Sequence, residues 1–209
     1  MSTGHLDQLL LGIADAPIAA APETGRIVVS GLTLDSRRVQ RGDAFFAVSG
    51  SQAHGITFAA AAVQRGARVV LAEAPAPEAV EPLEVPVLWI DGLHAPVSEI
   101  AARFYNRPSE SMRVVGVTGT NGKTSCVQML AQALTLLGHR AASIGTLGAG
   151  VHGQLREGER TTPDAISVQA LLAEFRDAKA GYVAMEVSSH ALEQGRVGAV
   201  DFEVAAFTN

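Results

Sequence analysis

The feature that most constrains the fold is a glycine-rich turn in the second half of the chain, Gly116-Val-Thr-Gly-Thr-Asn-Gly-Lys-Thr124. The turn follows the apolar run 114–117, which is typical of a strand buried on both faces of a parallel sheet. It precedes a segment whose apolar residues recur with the period of an amphipathic helix: Val127, Leu130, Ala131, Leu134 and Leu137. A strand, a glycine-rich turn and a helix in this order predict an α/β sheet with a ligand-binding turn at its edge.

The residues of this turn favour a phosphate site. Glycines let successive backbone N–H groups point inward at phosphate oxygens, and the start of the helix adds the positive end of its dipole. Lys123 can reach the β- and γ-phosphates of a nucleotide, and the Thr124 hydroxyl can ligate the Mg²⁺ bound to them. The strict motif G-x-x-x-x-G-K-[ST] asks for glycine where this chain has Val117, so the turn is a variant of that motif. We predict ATP or GTP binding rather than a turn with an incidental lysine.

Strand-like and helix-like segments alternate along the rest of the second half. Three further strands are predicted at 141–144, 182–187 and 203–207, and the glycine-rich stretch 145–158 is predicted as an irregular loop or hairpin. Thr162-Pro163-Asp164 indicates the start of a helix, because proline and an acidic residue are both favoured there. The inner stripe of that helix is Val168, Leu171, Leu172 and Phe175. This alternation predicts a doubly wound, mostly parallel sheet.

The first half predicts a smaller α/β domain. The pattern of apolar residues indicates strands at 26–34, 43–48, 68–71 and 86–90 and helices at 58–65 and 95–105. The polar, proline-containing stretch 106–111 separates the two periodic regions and is interpreted as the linker. We therefore predict two domains, 1–107 and 108–209.

The overall composition excludes several classes of protein. The formal net charge is −5 and the sequence has no cluster of Lys and Arg, so we expect no nucleic-acid partner. The single cysteine, Cys126, cannot form an internal disulfide, which suits a reducing cytosol. Asp7, Gln8 and Asp15 interrupt the only candidate signal segment, and no run approaches the roughly 20 apolar residues that cross a bilayer. We expect a soluble, cytoplasmic monomer with no membrane partner.

The turn at 118–125 resembles the phosphate loop of the Mur ligases, ATP-dependent enzymes that add amino acids to the UDP-muramoyl-peptide precursor of peptidoglycan. The folylpolyglutamate synthases are relatives that share this loop. Leu34–Arg37, followed by Gly42–Phe46, resembles the uridine-binding region of the ligases that add the third and later peptide residues, and 51–55 resembles their next substrate loop. These matches imply that 1–107 is a UDP-substrate-binding domain and that 108–209 is the first part of a central ATP-binding domain.

Two further segments narrow the resemblance. Thr161–Asp164 is similar to the loop that holds the muramoyl peptide. Met185–Leu192, with Gln194–Val197, is similar to the segment most typical of the branch that adds the third residue. The implied reaction uses ATP to phosphorylate the free D-glutamate carboxylate of UDP-N-acetylmuramoyl-L-alanyl-D-glutamate. The amine of a diamino acid, meso-diaminopimelate or L-lysine, then attacks the acyl phosphate, and an amide forms as phosphate leaves.

The resemblance also implies roles for individual residues. Lys123 is implied as catalytic, and Thr124 and Glu186 are implied as Mg²⁺ ligands. The implied ATP contacts are Gly119, Thr120, Asn121, Gly122, Lys123, Thr124 and Ser125. The implied contacts with the UDP-muramoyl-peptide are Leu34, Ser36, Ser51, Gln52, Ala53, Thr161, Thr162, Ser188, Gln194 and Arg196. His190 is open between a catalytic base and a packing residue.

Two alternatives from other classes remain open at this point. One is another ATP-using enzyme, such as a P-loop kinase, a folylpolyglutamate synthase or the ligase that forms the UDP-muramoyl-pentapeptide. The other is a non-catalytic module that binds a UDP-sugar or a nucleotide. The resemblance places a histidine/aspartate motif, a carbamylated lysine and a C-terminal domain beyond Asn209, so we expect no ligase activity from these 209 residues alone.

Overall fold

The structure is a computed structural model that describes residues 2–50, 53–158 and 160–209. It divides into two compact units, Met1–Ile100 and Ala101–Asn209. This division falls within one helix, and the domain boundary at 107/108 that the linker composition indicates stays a prediction.

The first unit contains a parallel sheet of four strands and an antiparallel pair. Its strands are β1 (Gly4–His5), β2 (Val28–Val29), β3 (Gly31–Thr33), β4 (Asp43–Ala47), β5 (Val69–Ala74) and β6 (Val87–Asp91). Its α-helices are α1 (Leu6–Leu9), α2 (Asp15–Ala20), α3 (Pro22–Gly25) and α4 (Ala59–Gln64), and its 3-10 helices are Ser36–Arg38 and Gly55–Phe58. The sheet order is β3-β4-β5-β6, and its core joins the inner residues of β4 and β5 to those of α4.

The prediction of one continuous strand over 26–34 is wrong. Strand β2 pairs antiparallel with β1, whereas β3 pairs parallel with β4. The chain changes sheets at Ser30, whose N–H donates to the Gly42 carbonyl at 3.0 Å instead of joining either ladder. The predicted strands at 43–48, 68–71 and 86–90 are confirmed with small shifts of their ends.

The second unit contains a five-stranded sheet with the order β11-β7-β10-β8-β9. Helix α5 (Val97–Phe104) crosses the division between the units, and the 3-10 helix Pro108–Ser111 lies in the predicted linker. The remaining elements are β7 (Arg113–Gly119), α6 (Lys123–Leu136), β8 (Ala141–Gly145), β9 (Gly148–Val151), α7 (Ala165–Asp177), β10 (Tyr182–Glu186), α8 (Ser189–Glu193) and β11 (Phe202–Thr208). Four strands are parallel and β9 is the antiparallel arm of a hairpin. Both the doubly wound, mostly parallel sheet and the hairpin interpretation are confirmed.

The side chains of β10 alternate between two helices on opposite faces of the sheet, as the period of two in a strand requires. Val183 and Met185 belong to the core cluster that contains the inner residues of α7. Ala184 packs instead with Val127 of α6. Glu186 follows Ala184 by two residues, so it lies on the face that α6 covers.

Both long helices differ in detail from their predictions. In α6, Val127 and Ala131 are buried, but the predicted inner residue Leu137 is 74% exposed because the helix ends one residue before it. Helix α7 begins after Asp164, whose carboxylate accepts hydrogen bonds from the N–H groups of Ile166 and Ser167 at 3.0 Å. The acidic residue is therefore the N-cap, and proline precedes the helix.

No helix in the described part of the chain is both long and apolar enough to cross a membrane.

Candidate functional site

The candidate site lies at the carboxyl edge of the second sheet, where four parallel strands end together. Strands β7, β8, β10 and β11 end at Gly119, Gly145, Glu186 and Thr208. Open α/β sheets place their ligands at this edge, because loops from several strands converge there.

The turn after β7 requires glycine at position 119. Gly119 has a φ of +128°, which side-chain-bearing residues rarely adopt. A Cβ atom there would also collide with the main chain of Thr208, at the end of the neighbouring strand. Thr208 holds the turn from the same side, since its hydroxyl donates to the Thr118 carbonyl at 3.0 Å.

The N–H groups of this turn fall into two sets. Thr120 and Asn121 donate to the Asn209 carbonyl at 2.9 and 2.8 Å, so these two amides are already engaged. The first hydrogen bond of α6 runs from Cys126 N–H to the Gly122 carbonyl, so the four N–H groups of 122–125 precede the helical ladder. An anion at this turn would therefore bind to the second set, at the positive end of the helix dipole.

Lys123 lies over the turn that it follows. Its ammonium donates to the carbonyls of Gly119 and Thr120 at 2.6 and 3.1 Å. Both partners are neutral acceptors, so the positive charge is not paired with a carboxylate in the described part of the chain. A phosphate at the turn could compete for this ammonium, because charge-assisted hydrogen bonds are stronger than neutral ones.

Glu186 is the most deeply buried carboxylate of this edge, with 1% of its surface exposed. One carboxylate oxygen accepts hydrogen bonds from the hydroxyls of Thr124 and Thr146, at 2.9 and 3.2 Å. The other accepts from the Thr146 N–H at 2.8 Å. The structure thus brings together the two residues, Thr124 and Glu186, that the resemblance implied as metal ligands, which lie 62 positions apart.

The end of β8 is shaped around this carboxylate. A Cβ atom on Gly145 would collide with the Glu186 carboxylate, so a side chain here would displace it. Thr146, the next residue, donates to Glu186 and shares a 3.0 Å hydrogen bond with the Thr161 hydroxyl. The glycine therefore permits the close approach of two strand ends.

A second group of predicted residues surrounds the main chain that follows β10. The Thr162 hydroxyl is buried; it donates to the Glu186 carbonyl at 2.8 Å and accepts from the Ser188 N–H at 3.1 Å. The Ser188 hydroxyl accepts from the Ala191 N–H at 3.2 Å and caps α8. These bonds fix the direction in which the chain leaves the strand.

Arg196 spans this group. One guanidinium N–H donates to the Thr162 carbonyl at 2.8 Å, and two others donate to the Gln194 side-chain oxygen at 2.9 and 2.6 Å. Partial burial, and secondarily the charge of Arg160, lower the pKa of Arg196, which opposing Asp164 only partly offsets. Since its acceptors are all neutral, Arg196 carries a positive charge that an anionic ligand can use.

A cavity of about 280 Å³ opens beside this group. It is bounded by the β8–β9 hairpin, by residues 156–158 and 160 and by α7, and it includes Gly145, Arg160 and Leu171. The cavity therefore borders the glycine that contacts Glu186.

In the first unit, the predicted uridine contacts follow β3 and β4. Leu34 is half-buried directly after β3, and Ser36 begins a 3-10 helix capped by the Asp35 carboxylate. Asp35 accepts from the N–H and guanidinium of Arg37; the side-chain hydrogen bond is the largest cause of its lowered pKa. Ala53 lies in the loop after β4, and Ser51 and Gln52 lie outside the described residues.

Several residues at the carboxyl edges of the two sheets were not predicted from the sequence. Thr146 lies in the stretch 145–158, for which the sequence predicts an irregular loop or hairpin, although a polar residue directly after a parallel strand is typical of a ligand-binding edge. Thr208 and Asn209 support the phosphate turn through a neighbouring strand, which no local pattern reveals. Glu73, near the end of β5, was not predicted either; its buried carboxylate has three hydrogen-bond contacts, and its main-chain carbonyl has a fourth with His54.

The described part of the chain contains no cluster of three or more His, Cys, Asp or Glu side chains that could hold a metal ion. A cation beside Glu186 would therefore take its other ligands from hydroxyls, phosphates or water. Mg²⁺ commonly binds in this way, through one or two carboxylates and the phosphates of a substrate.

Comparison with known families gives two matches. Residues 28–105 match the model described as Mur ligase family, catalytic domain, and residues 117–209 match the Mur ligase middle domain. The two matches fall in the order and at the places that the resemblance indicated.

Curated relatives are similar over most of this chain. A ligase of Ectopseudomonas mendocina named UDP-N-acetylmuramoyl-L-alanyl-D-glutamate–2,6-diaminopimelate ligase is 51% identical over 189 residues, which cover 90% of this chain and 39% of the relative. A ligase of Xanthomonas oryzae pv. oryzae with the same name is 54% identical over 183 residues, covering 88% and 37%. The chain thus spans about two fifths of the length of these relatives.

Solved structures agree with the fold. A structure with the same ligase name superposes with a TM-score of 0.79 at 28% identity, covering all of this chain and 40% of the other. A MurF structure from Acinetobacter baumannii superposes with a TM-score of 0.65 at 19% identity, which supports the fold alone. Taken with the two matched domains and relatives at about half identity, these likenesses show that the chain belongs to the Mur ligase family.

Proposed function

We propose that this chain carries the UDP-substrate-binding and ATP-binding parts of a peptidoglycan precursor ligase. The whole ligase would join a diamino acid, meso-diaminopimelate, to UDP-N-acetylmuramoyl-L-alanyl-D-glutamate through an acyl phosphate. The observation that carries this proposal is the contact between the buried Glu186 carboxylate and the Thr124 hydroxyl at the start of the phosphate-loop helix. The curated relatives with this ligase name support the same reaction.

The surroundings of Glu186 fit a magnesium ion. The carboxylate is buried and its hydrogen-bond donors are two threonine hydroxyls and an amide, all of them neutral. A buried carboxylate without a cationic partner favours a bound cation, because desolvation of an uncompensated charge is costly. Thr124 and Glu186 would hold Mg²⁺, which would neutralise the negative charge that develops when a phosphoryl group is transferred to a carboxylate.

The chain's own residues supply the rest of the charge balance. The N–H groups of 122–125 and the Lys123 ammonium would hold the β- and γ-phosphates at the sheet edge. Arg196 would pair with an anionic group of the muramoyl peptide and fix the acceptor carboxylate nearby. With the phosphates and the muramoyl peptide held in this way, catalysis would depend largely on the positioning of the reactants and on electrostatic stabilisation.

We further propose that the first unit binds the uridine nucleotide at the carboxyl ends of β3 and β4. Leu34 and Ser36 follow the first of these strands, and Ser51, Gln52 and Ala53 come after the second in the sequence. Thr161, Thr162, Ser188 and Gln194 are proposed contacts of the muramoyl peptide in the second unit. ATP and Mg²⁺ are the proposed nucleotide and metal, and a cytoplasmic enzyme is the proposed setting.

Calorimetric titration of the 209-residue chain with UDP-N-acetylmuramoyl-L-alanyl-D-glutamate tests this proposal. We expect binding of this dipeptide precursor, and weakening of at least about tenfold in Arg196→Gln, because one charged hydrogen-bonded contact is worth roughly that factor. Arg140→Gln is the matched control: it removes the same charge from an exposed arginine outside the site.

The same titrations separate the alternative functions. A P-loop kinase or a folylpolyglutamate synthase predicts no binding of the UDP-muramoyl-dipeptide. The ligase that forms the pentapeptide predicts preference for the UDP-muramoyl-tripeptide. Either result would contradict the proposed function. Failure of the wild-type chain to bind Mg²⁺-ATP would also contradict it.

A further inference from the structure

The loop that follows β4 has a narrow neck, formed by residues 48–50 and 53–55. Gly50 N–H donates to the Ala53 carbonyl at 3.0 Å, and Gly55 N–H donates to the Val48 carbonyl at 2.9 Å. Ser49 and His54 face each other across an antiparallel bridge between these bonds. The neck is therefore closed by its own main chain.

Glu73, at the end of the neighbouring strand β5, holds both sides of this neck. Its carboxylate accepts the Ser49 N–H at 2.8 Å, and its main-chain carbonyl lies 2.9 Å from the His54 Nε2 atom. The Nδ1 atom of His54 accepts the Ile56 N–H at 3.0 Å, so the Nε2 atom carries the proton and donates to Glu73. One residue thus binds the two opposed members of the bridge.

The second carboxylate oxygen of Glu73 is also occupied. It lies 3.0 Å from the His94 Nδ1 atom and 3.4 Å from the His94 N–H, in the loop after β6. Glu73 is 8% exposed, and burial alone would raise its pKa, but the hydrogen bonds from Ser49 and His94 outweigh burial and lower the pKa. The group is therefore an ionised acceptor at neutral pH, which makes its hydrogen bonds stronger than those of a neutral side chain.

We infer that Glu73 is a positioning residue that holds the neck, residues 48–50 and 53–55, in the arrangement that favours binding of a uridine nucleotide. This inference rests on the proposed function, which assigns the uridine contacts to Ser51, Gln52 and Ala53 within this loop. A loop fixed at its neck before binding has less conformational entropy to lose when the ligand binds. Glu73 acts through main-chain and imidazole groups rather than by touching the nucleotide.

The chain contains its own reporter for this neck. Trp89 is the single tryptophan of the sequence, and its ring centroid lies 5.9 Å from that of His54. When the anchor on His54 changes, the environment of the indole changes with it. Tryptophan emission therefore reports the state of the neck without any added label.

The test is calorimetric titration of the 209-residue chain and of Glu73→Gln with UDP. Glutamine keeps the size of the side chain but replaces the carboxylate with a neutral amide. The amide has one acceptor oxygen instead of two, so it cannot accept hydrogen bonds from both Ser49 and His94 in the same way, and any bond that remains is weaker. We expect the Kd for UDP to rise about tenfold, the loss expected from one charged hydrogen bond. We also expect Trp89 emission of the ligand-free variant to differ from that of the wild type.

Three controls accompany this measurement. Glu84→Gln removes a carboxylate from an exposed position of the same unit and is expected to leave the Kd for UDP unchanged. ATP binding by Glu73→Gln is expected to equal that of the wild type. His94→Ala removes one partner of Glu73 from a side chain that is 61% exposed, so it threatens the fold little, and a smaller rise in the Kd for UDP is expected.

A purely stabilising role for Glu73 gives a different result. In that case the melting temperature falls, but the folded fraction binds UDP with the wild-type Kd and Trp89 emission is unchanged, and the inference is overturned. Equal weakening of UDP and ATP binding would overturn it too, because the change would be global. Absence of UDP binding by the wild-type chain would instead contradict the uridine part of the proposed function, and this inference with it.

Discussion

Each of the two larger sheets has a buried glutamate at or next to the carboxyl end of a parallel strand, yet the two carboxylates have different partners. The Glu73 carboxylate, in the first unit, accepts hydrogen bonds from the Ser49 N–H and from the His94 side chain, which lie in the loops after β4 and β6. Glu186, in the second unit, accepts mainly from threonine hydroxyls, one of them at the start of the phosphate-loop helix. Backbone donors fix the chain around a carboxylate, whereas hydroxyl groups can also ligate a cation beside it. The same position in a sheet can therefore hold adjoining loops or, as proposed for Glu186, help to bind a cation, according to its donors.

The largest effect that separates the two edges is expected from Lys123→Ala. The variant loses the only lysine ammonium at the phosphate turn, so the affinity for ATP should fall by roughly one to two orders of magnitude. UDP binding by the same protein should not change. Calorimetry with both nucleotides measures the two effects, and the exposed Lys179→Ala variant is the matched control. Unaltered ATP affinity would remove Lys123 from the site.

A somewhat smaller effect is expected from Glu186→Gln. In the wild type Mg²⁺ should raise the affinity for ATP, whereas in the variant the Kd values with and without Mg²⁺ should agree within about twofold, because the charged ligand is gone. Glu193→Gln, on the exposed side of α8, and Glu73→Gln should both keep the Mg²⁺ response. If Glu73→Gln lost it as well, the contrast between the two carboxylates would be wrong.

Gly145→Ala should act on Glu186 indirectly. The added methyl group meets the carboxylate, so the strand end or the glutamate must shift, at a cost of about 1–3 kcal/mol in the free energy of unfolding. The Mg²⁺ response should weaken in parallel. Gly181→Ala is the control, since a Cβ atom there meets open space. Chemical denaturation and ATP titration measure the two quantities; a variant as stable as the control would contradict the close packing.

The smallest effect is expected in the pH dependence of stability. The pKa of Glu73 is lower in the folded chain than its ordinary value of 4.5, so its contribution is fully present above that value. As the pH falls below 4.5 and through the folded pKa, this contribution is lost. Denaturation at a series of pH values should therefore show a shallower decline for Glu73→Gln than for the wild type. A decline of equal slope would show that Glu73 does not contribute.

The sequence predicted those parts of the molecule that depend on local pattern. The apolar run 114–117 and the 3.6-residue repeat after the glycine-rich turn predicted β7, the turn and α6, and the strand predicted at 182–187 corresponds to β10. The failures have a common cause in tertiary context. Nothing local marks Ser30 as the point where the chain changes sheets, and nothing local marks Thr146 as a partner of a glutamate 40 positions away.

The site residues divide in the same way. Lys123 and Thr124 carry a mechanism that their spacing alone indicates, whereas Glu186 was indicated by resemblance and its partners became evident only in three dimensions. Glu73 has no motif around it, because its donors come from the loops after two other strands. Long-range hydrogen bonding of this kind leaves no periodic trace in a sequence.

The engagement of Thr120 and Asn121 by the Asn209 carbonyl has a mechanical consequence for the outermost strand of the second sheet. The residue that follows β11 is hydrogen-bonded to the glycine-rich turn, so a displacement of either segment would strain these hydrogen bonds. By thermodynamic reciprocity, a ligand that tightens the turn must also tighten this strand, and whatever stiffens the strand must favour the ligand. We therefore expect changes in β11 to alter the affinity of the turn for the proposed nucleotide, although the strand lies beside the turn and not within it.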